Sequence, residues 1–337
     1  MQNKTLRFCD SVSVLSTGSV VGEKEHTGPI GRVFDLYDET DRFGKKTWEK
    51  SEGEMQRLSL GIALSNGKFC ERDIDAIFAG DLLNQCSASA YGLLDYDVPY
   101  FGLYGACSTA AESIMLSAIS VSAGSFERCA AVTSSHNCSS ERQFRTPLEY
   151  GAQRSPTAQW TVTGSGAFII GRGGSVRIAE ALPGIVVDKG INDVSNMGAA
   201  MAPAAAHTLK RYLECGEAGL DDIDLIVTGD LGYEGGSIFC ELLLAEGYDV
   251  RKKYNDCGMM IYSRGEQDMH SGGSGCGCSA VVMASYIIPK IARGELCNVL
   301  FIGTGAMMSP SSIQQGLSIP SVGHLLRFCP SGKGKGE

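Results

Sequence analysis

Nowhere in its 337 residues does the chain carry an apolar run of the roughly 18 residues that crossing a bilayer takes. Nor does it open on a basic stretch followed by an apolar one, so nothing in it reads as a secretory signal. Cations are in the minority, 29 Lys and Arg against 38 Asp and Glu, for a formal net charge of -9. Phosphate binding needs clustered cations, so this balance argues against nucleic acid as the main partner. A disulfide framework is also missing. The 13 cysteines are odd in number and scattered from Cys9 to Cys329, which suits free thiols in a reducing compartment, most of them small core residues.

What is present is a globular composition, 43% hydrophobic and 20% charged, with 43 glycines suited to the tight turns of an α/β fold. The main internal signal is a repeat. Ile74-Asp75-Ala76-Ile77-Phe78-Ala79-Gly80-Asp81-Leu82 and Ile223-Asp224-Leu225-Ile226-Val227-Thr228-Gly229-Asp230-Leu231 agree at six of nine positions. Each reads as a strand entered from an acidic loop (Asp73, Asp222) after a helical pattern, Met55 to Leu64 and Met201 to Leu213. A second correspondence follows. Gly105-Ala106-Cys107-Ser108 opens an Ala- and Ser-rich helix through about Ser122, then Gly124 and a strand at Cys129 to Thr133. Gly275-Cys276-Gly277-Cys278 opens a helix to about Ala292, then Gly294 and a strand at Asn298 to Ile302.

These correspondences predict two similar α/β halves, residues 1–172 and 173–330, meeting near Gly173-Gly174, with a flexible Gly- and Lys-rich tail at 331–337. Helices apolar nearly all round, such as Ala110 to Ser122, belong between two sheets, giving five layers, α-β-α-β-α. Gly171 to Gly174 reads as the hinge between halves rather than a dinucleotide loop, because no helix pattern follows it. Phe34 to Phe43 is acidic but lacks the ligand steps of a calcium loop, so it reads as solvated.

The strongest chemical signal is Cys107. A strand from Val98 to Leu103 feeds a glycine turn, then the cysteine, then a helix. A thiol at a helix N-terminus is expected to have a lowered pKa, and free N–H groups there suit an anion. As one cysteine among 13, it is equally well placed as a packing residue. Cys276 and Cys278 lack a second pair and read as packing residues rather than metal ligands.

The duplicated halves and the Gly105-Ala106-Cys107-Ser108-Thr109 turn resemble the thiolase superfamily, which includes the β-ketoacyl-acyl-carrier-protein synthases. Longer blocks resemble one branch of it, the stage V sporulation protein AD family of spore-forming Firmicutes. They are Trp48 to Glu52, Ser134-Ser135-His136-Asn137, Arg142 to Arg145, Glu149-Tyr150-Gly151, Thr157 to Gly164, Asn196 to Ala205 and His270 to Cys278, spread over nearly the whole chain. The resemblance implies a thiolase-like fold and binding of dipicolinic acid (pyridine-2,6-dicarboxylate), as such or as its calcium chelate. It also implies a role in loading that acid into the developing spore with membrane proteins of the same operon. The chain would then sit peripherally at the forespore or spore inner membrane, with no cofactor, and as the homodimer usual for the fold.

Acyl transfer in the superfamily also needs His with His, or His with Asn, from the second half. The corresponding positions here fall at about Gly229 or Asp230 and near Gly272, and neither offers an imidazole; His270, two residues away, is a weak substitute. The expectation is a binding pocket descended from an enzyme, with acyl transfer through a Cys107 thioester, as in an acyltransferase or ketoacyl synthase, as the competing reading. A planar dicarboxylate wants cations, donors and apolar walls. The expected contacts are Cys107 and Ser108 at the helix tip, His136, Asn137, Arg142 and Arg145 after the neighbouring strand, and Asp193, Asn196, Asp230 and His270 from the second half. The acids would suit a chelated calcium. Each has a plainer alternative: Arg142 and Arg145 as surface charges, His136 as a strand-end residue, Asp193 or Ser195 as a helix N-cap.

Overall fold

The computed structural model describes residues 5–8, 11–144 and 154–332. Its centre is a twelve-stranded sheet. Ten strands form one path: β1 (Val12–Gly22), β2 (Ala76–Gly80), β3 (Tyr100–Leu103), β4 (Cys129–Ser135), β5 (Gly164–Arg172), β6 (Val176–Leu182), β7 (Leu225–Thr228), β8 (Tyr254–Asp256), β9 (Val299–Ala306) and β10 (Ser321–Pro330). The main helices are α1 (Trp48–Gly67), α2 (Thr109–Ser122), α3 (Asn137–Phe144), α4 (Met197–Cys215), α5 (Gly232–Ala245) and α6 (Cys276–Val282). A π turn, Met283–Ile287, continues α6 into Ile288–Ala292. Pro289 has no N–H to donate to an α-helical ladder, which accounts for the widened turn before it.

The path runs β3-β2-β4-β5-β1 and then β6-β10-β9-β7-β8. The two runs have the same pattern. In each, a strand followed by Gly-Asp pairs in parallel with both neighbours, and the last two pairings are antiparallel. β1 and β6 join the runs at Ser13↔Arg177 and Val14↔Val176. Between β5 and β6 the chain reverses at Gly173, whose φ of +86° only glycine adopts freely.

Helix α1 packs on the outer face of the first run and α4 with α5 on that of the second. α2 touches strands of both runs and α6, so the central helices lie between the two runs of the sheet and the layers alternate α-β-α-β-α. Side chains from both runs, including Phe168 and Phe301, meet α2 and α6 in one core. Full burial of a side chain of that size stabilises by about 1.5–3 kcal/mol. The repeat strands and the two small-residue helices fall where the sequence pattern puts them. β1, β6 and β10, which have no such pattern signal, emerge only in the structure.

Candidate functional site

The Cys107 turn is built from local hydrogen bonds. Ala106 takes φ +50°, a left-handed conformation uncommon for a residue with a Cβ. The strain is held by neighbours: Ser108 Oγ donates to the Gly105 carbonyl at 2.6 Å and Thr109 Oγ1 to the Ala106 carbonyl at 2.7 Å, while Gly105 N–H donates to Thr109 Oγ1 at 3.0 Å. β9 crosses close above. A Cβ on Gly305 would lie 2.3 Å from the Gly105 carbonyl, so only glycine fits there. Ser108 is the N-cap residue of α2 and is fully buried, whereas Cys107 keeps partial exposure.

The second half supplies Asp230, just after β7. It is 1% exposed and lies close enough to the Cys107 thiol for each to shift the other's pKa. Thr304 Oγ1 donates to its Oδ1 at 2.7 Å; Ser274 Oγ at 3.0 Å and Gly275 N–H at 2.9 Å donate to Oδ2. Burial raises the Asp230 pKa, opposed by these donors. Gln159 Nε2 bridges the Asp230 and Gly273 carbonyls at 2.7 and 3.0 Å. Asp256, buried and pushed up to about 7 by that burial, fixes the following turn through Leu231 N–H at 2.8 Å and Gly232 N–H at 3.0 Å.

This environment reverses the expectation for the thiol. The Cys107 pKa is raised well above the ordinary cysteine value, first by burial and then by the Asp230 charge, rather than lowered by the helix tip. Loss of hydration and a neighbouring carboxylate outweigh a half-charge dipole.

The other expected residues are dispersed. His136 is fully buried, with Nε2 on the Asp41 carbonyl at 2.8 Å, Nδ1 accepting Cys138 N–H at 3.2 Å and its ring tilted against Trp48. Asn137 binds β5 and its approach through Thr163 and Thr161, each at 3.2 Å. Arg142, half exposed, pairs with Glu49 of α1. Arg145 lies outside the described residues. Asp193 turns back on Ser195 N–H and Oγ, and it is Asn196, not Asp193 or Ser195, whose side chain caps α4 through Ala199 N–H at 3.2 Å. His270 binds the Ser155 carbonyl at 2.6 Å and Asp268 at 3.2 Å. The remaining imidazoles lie elsewhere: His26 stacks on Tyr37, His207 sits beside Arg211 and Lys210 with Nδ1 lacking a hydrogen-bond partner, and His324 accepts Gly184 N–H. The structure therefore joins Cys107, Ser108 and Asp230. It adds Ser274, Gly275 and Thr304, which the repeat alignment around Gly275 could have flagged. Among the described residues no three His, Cys, Asp or Glu side chains converge to hold a metal ion. No helix among them is long and apolar enough to cross a membrane.

Comparison with known proteins agrees with this architecture. Solved structures share the fold at low identity. 3-Oxoacyl-[acyl-carrier-protein] synthase III from Aquifex aeolicus VF5 superposes with a TM-score of 0.56 at 11% identity, covering 94% of this chain and 99% of that one. Cerulenin-bound OleA from Xanthomonas campestris gives 0.62 at 12% identity, covering 96% and 98%. The fold is thus thiolase-like. At the sequence level, the stage V sporulation protein AD of Bacillus subtilis (strain 168) is 42% identical over 327 residues, covering 96% of both chains. The model of the stage V sporulation protein AD (SpoVAD) family matches residues 2–328, and the chain belongs to that family.

Proposed function

We propose that this sporulation protein binds dipicolinic acid, as the free acid or its calcium chelate, in a thiolase-type cleft at Cys107 that no longer transfers acyl groups. In this reading it supports loading of the acid into the developing spore, held peripherally at the spore inner membrane by membrane partners. The observation that carries the non-catalytic part is Asp230. It stands where the resemblance to acyl-transferring relatives calls for a histidine. A thiol attacks a thioester only as thiolate, and here burial and a carboxylate both oppose ionisation. An oxyanion forming beside the sulfur would face the same negative charge instead of a donor.

The ligand part is supported by family membership and by the partial exposure of Cys107 in a turn fixed by hydrogen bonds. For assembly, the open edge of β3 carries a row of exposed aromatics, Tyr100 at 39%, Phe101 at 46% and Tyr104 at 41%. An unpaired edge with apolar side chains is a template for strand pairing, and its occupant in this reading is a second copy of the chain.

Calorimetry with dipicolinate, with and without Ca²⁺, tests the binding. Incubation with an acyl-CoA or acyl carrier protein, followed by mass spectrometry of the Cys107 peptide, tests the chemistry. Binding without an adduct is expected. A saturating ligand at 100 times its Kd should add about 2.7 kcal/mol of stability. A Cys107 acyl adduct that turns over would establish the enzyme instead.

A further inference from the structure

Arg154 holds a buried charge with an unspent donor. Its side chain is 9% exposed. Nη2 donates to the Asp268 carbonyl at 2.6 Å and to Asp268 Oδ2 at 3.0 Å, so one edge of the guanidinium is fixed. Nη1 is buried and has no hydrogen-bond partner. Leaving a charged N–H dry and unpaired is costly, so such a group in a native fold calls for a ligand. The surroundings suit an anionic one. Cζ of Arg154 lies 5.0 Å from the centroid of Trp160, and Lys24 Nζ lies 4.4 Å from the same centroid. The other oxygen of Asp268, Oδ1, is 3.2 Å from His270 Nε2, which braces the carboxylate that orients Arg154.

We propose that Arg154 and Lys24, both packed on the Trp160 indole, form a binding site for a carboxylate ligand, with Nη1 of Arg154 donating to a carboxylate oxygen and Lys24 adding a second positive charge. Guanidinium suits this task because its fork meets carboxylate oxygens in plane. The site is tied to the Cys107 cleft through the backbone. Trp160–Thr161 pairs in parallel with Gly273–Ser274, and Ser274 donates to Asp230. The inference deepens the dipicolinate reading and rests on it for the natural ligand, but the site can be probed without it.

The chain has two tryptophans, so Trp48→Phe leaves Trp160 as the sole indole reporter. In that background, dipicolinate is titrated by calorimetry and by Trp160 emission, and benzoate serves as a second planar carboxylate. The expected result is a Trp160 response to ligand that weakens at least tenfold in Arg154→Gln and is incompletely restored in Arg154→Lys, with circular dichroism confirming that both variants fold. Calorimetric binding of dipicolinate with an unmoved Trp160 signal and unchanged affinity in both variants overturns the Arg154 site and leaves the proposed function standing. Absence of dipicolinate binding removes the proposed function. The Arg154 site then stands if benzoate moves Trp160 in an Arg154-dependent way, and falls if it does not.

Discussion

Asp230 lies beside Cys107, and the effect is one-sided: the carboxylate disfavours charge on the thiol, whereas the thiol favours charge on the carboxylate. The thiol should therefore be sluggish. At neutral pH, Cys107 is expected to alkylate with iodoacetamide at least about tenfold more slowly than the exposed Cys70 and Cys297, since each unit of pKa shift is a tenfold change in thiolate. Asp230→Asn removes the charge while keeping an acceptor, and should speed Cys107 labelling. Peptide mass spectrometry reads both rates; fast labelling of wild-type Cys107 would contradict the account of its environment.

Gly305 tests how tightly the turn is held. Alanine there places a Cβ against the Gly105 carbonyl at 2.3 Å and the Ser108 nitrogen at 3.0 Å, neither of which can swing away. Gly305→Ala should cost roughly 1–3 kcal/mol in denaturant unfolding. Gly265→Ala, with nothing within 4 Å and no left-handed backbone, is the control and should be near neutral. Equal effects at the two sites would refute the close approach.

Stability should fall as pH rises from the acid side toward mildly alkaline conditions. Burial pushes Glu25 and Asp256 up to about 7 and Glu52 up to about 8, against ordinary values of 4.5, 3.8 and 4.5. Below those ordinary values both folded and unfolded chains hold the protons. Between them and about pH 7–8 only the folded chain does, so each step upward favours unfolding. At about 1.4 kcal/mol per unit these three acids would lose on the order of 10 kcal/mol, partly offset by His324, whose lowered value of about 4 adds stability as pH rises from there to 6.5. Exposed acids with lowered values, such as Asp249 at about 2, act below this window. Urea melts across the window should show the decline, and Glu52→Gln should flatten its upper end. A rise in stability over the same range would be incompatible with neutral buried acids.

The β3 edge makes a prediction about assembly. Phe101→Glu puts a charge in the exposed aromatic row and gives up the stacking of Phe101 on the core residue Phe78, so circular dichroism must first show that the variant folds. Light scattering should find a dimer for the wild-type chain and a monomer for the variant. A wild-type monomer, or a variant dimer of unchanged strength, would exclude pairing through this strand.

Much of this was legible in the residues. The Gly80-Asp81 and Gly229-Asp230 repeat marked equivalent strands, and the small-residue runs after Cys107 and Cys276 marked the central helices. Strands β1, β6 and β10 were hidden because none belongs to the repeated blocks that carried the pattern reading. The thiol's pKa was misjudged because a helix tip is visible in sequence while the carboxylate that meets it comes from 123 positions away (107 to 230). His136 drew attention as an imidazole near Cys107 in sequence order, yet its ring turns to the Asp41 carbonyl. Arg154 gave no signal at all, since an orphaned donor is a property of packing.

The two small-residue helices that follow Cys107 and Cys276 place their cysteines in different settings. Cys276 is the first residue of its helix, whereas Cys107 precedes the N-cap of the other, and Cys276 is sealed at 0% exposure with its sulfur donating to the Ser134 carbonyl at 3.0 Å. Cys107 keeps partial exposure, so a reagent in solution can approach only one of the two corresponding sulfurs, and the other is left to packing.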